Sequence, residues 1–66
     1  MENFSEILKR EREKRGLSPT KLAEKIGCTS RAINYWERGE REPSLFMADL
    51  VLKALGVQIA IGKTNP

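Results

Sequence analysis

The chain has no histidine and a single cysteine. With no imidazole and one thiol there is no ligand set for a zinc site and no disulfide within the chain. Cys28 has no evident general base, and neither a phosphate-binding loop nor a metal-ligand cluster appears, so the residues of an enzyme active site are missing. No apolar run is long enough to span a membrane, and no signal-peptide pattern is present. Repeats, low-complexity tracts and internal linkers are lacking as well. The lone thiol and the missing export signal predict a reducing, cytoplasmic setting. No membrane contact, cofactor, metal or small-molecule ligand is expected.

What remains is 66 residues carrying twelve Lys and Arg against nine Asp and Glu, a net charge of +3 and a pI of about 9.4. This length supports one domain, and a chain so short buries only roughly 60% of its unfolded surface. With metals and disulfides excluded, oligomerisation is the remaining common support. The basic balance is compatible with a nucleic-acid partner, and by itself says no more than that.

Caps and glycines divide the chain into four helices. Asn3 caps a first helix to Arg15, with Glu6 completing a capping box and Gly16 placed to end it. Phe4, Ile7 and Leu8 form its apolar stripe. Ser18 caps a second helix with Pro19 at its first position, where a missing N–H costs nothing. Leu22, Ala23 and Ile26 face inward, and Gly27 stops it. Thr29 caps a third helix to about Arg38, followed by Gly39. Ser44 caps a fourth, Leu45 to Leu55, ended by Gly56.

The third helix has two chemically different sides. At about 100° per residue, Thr29, Ile33, Trp36 and Glu37 cluster on one side and Arg31, Asn34, Tyr35 and Arg38 on the other, with Ser30 at the exposed N-terminus. Arg31 can pair bidentately with guanine and Asn34 with adenine, while Tyr35 can touch a thymine methyl or donate to a phosphate. The plain alternative is a solvated surface. Against it stand Ala23, small where a second helix must approach closely, Gly27 as a tight turn, and an aromatic beside two arginines.

The stretch GLSPTKLAEKIGCTSRAINYWERGEREPSL, with LKALGV further on, resembles the phage repressor/Cro-like (Xre-type) helix-turn-helix domains. The resemblance covers most of the chain and implies four or five helices whose third enters the major groove. It places Ser30, Arg31 and Tyr35 at base-reading positions with Asn34 beside them. It implies phosphate contacts for Ser18, Lys21, Thr29, Arg38 and Arg41. It also implies a structural ion pair between Arg12 and Glu37, whose charge falls near the inward side of its helix and needs a partner. Two positions depart from the pattern. Pro19 stands where a phosphate-binding Gln is frequent, and Glu11 stands where an aliphatic residue is frequent, so Glu11 is expected to turn toward water.

The fourth helix, LFMADLVLKAL, is apolar on nearly every side, with Asp49 and Lys53 in a narrow polar wedge. Leu45, Ala48, Val51, Leu52 and Leu55 suffice for the core, which leaves Phe46 and Leu50 as candidates for a subunit interface. After Gly56, Val57, Ile59 and Ile61 alternate with Gln58 and Ala60, the pattern of a strand. A lone strand leaves its backbone unpaired, and the same strand of a second subunit is the simplest partner. Some antitoxin-type members of the resembled family end in a similar way. A fifth helix or an ordered tail is the alternative.

The expected fold is therefore an all-α bundle of four or five short helices with a helix-turn-helix at helices two and three, plus a short C-terminal strand pairing between subunits. A single domain is expected over 1–62, with a dimerisation segment at 44–62 and a frayed tail at 63–66. The expected function is a sequence-specific double-stranded DNA-binding regulator, a repressor acting as a homodimer on a palindromic operator. The alternatives are an antitoxin subunit that also binds a toxin, and a helix-turn-helix used for protein contacts alone.

Overall fold

Four side-chain oxygens start the four helices of the computed structural model, which describes residues 3–57. Helix α1 spans Phe4–Lys14, α2 Pro19–Ile26, α3 Ser30–Arg38 and α4 Leu45–Ala54. At α1 the Glu6 N–H donates to Asn3 Oδ1 (3.0 Å) and the Asn3 N–H donates back to Glu6 Oε1 (3.3 Å), a closed capping box. Ser18, Thr29 and Ser44 each accept from the N–H three residues on, at 3.0–3.1 Å. Each cap satisfies a donor that a helix start leaves orphaned.

The helices also stop by a shared device. After each one a glycine lies in the left-handed region, and the next N–H returns to a carbonyl five residues back: Leu17 to Arg12, Cys28 to Ala23, Glu40 to Tyr35 and Val57 to Leu52. The turn after α2 matters most, because it sets the angle between α2 and α3. Its Gly27 has φ 79°, a backbone that costs an L residue roughly 1–2 kcal/mol.

Leu8, Leu22, Ala23, Ile33, Trp36, Val51 and Leu55 form one buried cluster at the centre. It draws on all four helices: α3 packs across both α1 and α2, and α4 packs on α2. Each fully buried Leu or Ile contributes about 1.5–3 kcal/mol, so few residues carry most of the stability. Among the described residues there is no strand, and no helix is long and apolar enough to cross a membrane.

Two side chains lie where the sequence does not lead one to expect them. Glu11 does not turn toward water; it is 7% exposed. Arg15 Nη1 donates to its Oε1 at 2.5 Å, and Arg10 and Lys14 lie 3.3 and 3.7 Å from Oε2. Two cations of its own helix and the capping Arg15 therefore surround the carboxylate and supply the charge that burial requires. Leu45, assigned to the core, is 83% exposed. The buried residues at the end of α4 are Val51, Leu52 and Leu55, with Met47 and Ala54 packed against the cluster. At roughly 100° per residue Leu45 lies within about 20° of the buried Leu52, so direction does not expose it; it is the first residue of α4, well over a turn before Val51, Leu52 and Leu55. Asp49 and Lys53 do meet, at 3.0 Å. Val57 is half-buried against the core, whereas Ile59 and Ile61 lie outside the described residues.

The hydrogen bond from Arg15 holds the Glu11 carboxyl below its ordinary 4.5; burial pulls the other way, and Arg10 and Lys14 add to the lowering. A folded value below the unfolded one gives stability that is complete above the unfolded value and is lost as pH falls through the folded value. Thermal unfolding followed from about pH 5 to pH 3 should therefore fall less steeply for Glu11→Gln than for the wild type, from a lower starting point. Parallel curves would show that Glu11 does not couple folding to protons.

Candidate nucleic-acid interface

Helix α3 is held from its inner side. Ile33 is fully buried and Trp36 is 8% exposed, which fixes the rotation of the helix about its axis. Its far end is fixed by charge. Arg12 of α1 presents Nε to Glu37 Oε2 at 2.6 Å and Nη2 to Oε1 at 3.0 Å. The remaining Arg12 donor, Nη1, reaches the Leu17 carbonyl at 2.6 Å. The two side chains are only 11% and 8% exposed. Hydrogen bonding to Glu37 holds the Arg12 guanidinium above its ordinary value, against the pull of burial. One guanidinium thus ties together α1, the loop into α2 and the last turn of α3, with a bidentate geometry that leaves little angular freedom.

With the inner side fixed, the outer side is determined. Arg31 is exposed, and Ser30, Asn34 and Tyr35 are half-buried. Of the four, Arg31 is the most open to solvent. Ser18, Lys21 and Thr29 are exposed at the starts of α2 and α3. The Ser18 and Thr29 oxygens accept the capping bonds, and each hydroxyl keeps its proton to donate to an anion.

Arg38 and Arg41 are exposed and converge on Tyr35. Their guanidinium carbons lie 5.7 and 4.9 Å from its ring centroid, within range of cation–π attraction. The ring also packs against the core cluster. Tyr35 is thus anchored on its inner edge and capped by cations, less free than its wheel position suggests. The turn at Gly39 explains this: with the Glu40 N–H bonded to the Tyr35 carbonyl at 3.0 Å, the chain doubles back and brings position 41 over position 35. A helical wheel stops at Arg38 and cannot show it. Glu40 is a residue that sequence reasoning passed over. Its carboxylate receives Arg38 Nε at 3.1 Å and Nη2 at 3.2 Å.

Elsewhere, Phe46 is 71% exposed and Leu50 half-buried, so α4 turns an apolar side outward next to Leu45. Cys28 is half-buried, and burial pushes its thiol up, away from the reactive thiolate. Among the described residues no group of His, Cys, Asp and Glu can hold a metal ion.

A family model described as helix-turn-helix matches residues 8–61. A protein of Methanothermobacter thermautotrophicus described as an uncharacterized HTH-type transcriptional regulator is 36% identical over 50 residues, covering 76% of this chain and 72% of that protein.

Removing Arg12 leaves Glu37 buried without its cation and the Leu17 carbonyl without its donor. Arg12→Ala should destabilise the fold by about 2–4 kcal/mol in chemical denaturation. An unchanged midpoint would make the pair incidental.

Proposed function

Because the chain belongs to the Cro/C1-type helix-turn-helix family, we propose that it is a sequence-specific double-stranded DNA-binding transcriptional regulator, a repressor that acts as a homodimer on a palindromic operator. The observation that carries this reading is α3 itself: a helix whose inner side is fixed by Ile33, Trp36 and Glu37 while Arg31 stands exposed beside Ser30, Asn34 and Tyr35. A helix so held enters the major groove in one orientation, and its side chains meet base edges at defined positions. Arg31 then pairs with guanine. Ser18, Lys21 and Thr29 hold the backbone on one flank of the groove, and Arg38 and Arg41 on the other. These contacts supply most of the affinity and its salt dependence. The relative's description as a transcriptional regulator supports the same assignment.

Exposed Phe46 and Leu45 favour self-association. A surface Phe at the start of an otherwise apolar helix is suited to a second subunit, with Leu50, Val57, Ile59 and Ile61 continuing the contact. A two-fold dimer sets its recognition helices about 34 Å apart, one turn of DNA.

Selection of duplexes from a random pool, followed by mobility shift, tests the base contact. Arg31→Ala should cost about 1–3 kcal/mol on the selected site and relax preference at one position per half-site. A loss spread evenly over all sequences would make Arg31 a phosphate contact instead. Sedimentation tests the dimer: Phe46→Glu should shift the protein toward monomer, and an unchanged mass distribution would remove Phe46 from the interface.

A further inference from the structure

The last residue of α3 is an arginine whose paired donors are already occupied. Arg38 Nε and Nη2 both point at the Glu40 carboxylate, at 3.1 and 3.2 Å. These two donors form the parallel fork that a guanidinium offers to any planar or tetrahedral oxyanion, carboxylate and phosphate alike. A phosphate approaching Arg38 along that fork meets Glu40 in its place.

We propose that Glu40 acts as a built-in stand-in for phosphate: it holds Arg38 in the free protein and lowers DNA affinity by competing with the DNA backbone for it. This rests on the reading that Arg38 faces a phosphate. Two observations make the competition effective yet reversible. The pair is exposed, 57% at Arg38 and 51% at Glu40, so water screens it and it opens at little cost. The Glu40 backbone is nonetheless fixed, because its N–H is bonded to the Tyr35 carbonyl at 3.0 Å. When a phosphate displaces the carboxylate, the charge cannot leave the neighbourhood; it stays beside the bound phosphate and repels it.

The position of the pair also decides what kind of binding it affects. Arg31 stands two turns further toward the N-terminus of α3, so a charge at position 40 acts on Arg38 and the ring of Tyr35 and not on Arg31. Phosphates carry no sequence information, so the penalty falls equally on operator and non-operator DNA. A small, basic domain with net charge +3 is prone to adhere to any duplex. Glu40 restrains that tendency at the cationic end of the interface, where Arg38 and Arg41 already sit together over Tyr35.

The test is a two-by-two set of full-length proteins, wild type, Glu40→Gln, Arg38→Ala and the double variant, titrated by fluorescence anisotropy against a selected duplex and a scrambled one over a range of salt. Glu40→Gln keeps the side-chain shape and removes the charge. It should bind both duplexes about threefold to tenfold more tightly at low salt, with a gain that shrinks as salt rises. In the Arg38→Ala background the same change should gain less than about twofold, since the competed group is gone. If the wild type binds DNA and Glu40→Gln binds no tighter, the competition is refuted while the DNA-binding reading stands. A gain of equal size with and without Arg38 would also refute it, leaving a general charge effect. If the wild type binds neither duplex at any salt, both readings fall together.

Discussion

A buried charge on the last turn of α3 constrains the whole molecule. Glu37 is almost fully covered, and an uncompensated carboxylate there would cost several kcal/mol. Arg12 supplies the compensation, and it does so from another helix, through two parallel bonds, while its third donor closes on Leu17. The fold in which that carboxylate is satisfied is one in which α1 crosses α3 at a set place and angle. Ile33 and Trp36 fix the rotation of α3; the ion pair fixes its tilt and register. The outward direction of Arg31 follows from the two together.

The ends of α3 complete the constraint. Before it, the left-handed Gly27 and the Thr29 cap set where the helix begins. After it, the turn at Gly39 folds the chain back so that Arg41 lies over Tyr35 and Glu40 over Arg38. The outer side of α3 is therefore graded. At its N-terminal end Arg31 is exposed beside the half-buried Ser30. Its C-terminal end is a cluster of cations, a ring and one acid that already satisfy one another.

The local features of the fold were legible in the sequence because each has a local cause. Asn3 with Glu6, Ser18 with Pro19, and the glycines after each helix act within a few residues, and the helix limits follow from them. The inward residues Leu8, Leu22, Ile33 and Val51 were legible from periodicity. Glu11 was not, because its burial depends on how Arg10, Lys14 and Arg15 fold their side chains over it. Leu45 was not, because periodicity sets it on the stripe of Leu52 and does not show how far along the helix the core extends. At the site, Arg31 was legible from the wheel, while the stacking of Tyr35 and the pairing of Arg38 depend on a chain reversal that no wheel represents. Ile59 and Ile61, expected from the sequence at a subunit interface, lie outside the described residues.

The central claim is that the outer side of α3, held by Arg12 and Glu37, is the surface that meets DNA. Amide and side-chain NMR shifts of the full chain during titration with duplex DNA test it most directly. The account predicts perturbations concentrated at the start of α2, along the outer positions of α3 and in the loop to Arg41, with the Arg12 and Glu37 side-chain signals preserved. Perturbations confined to the apolar side of α4 and the start of α1, with α3 unaffected, would contradict it.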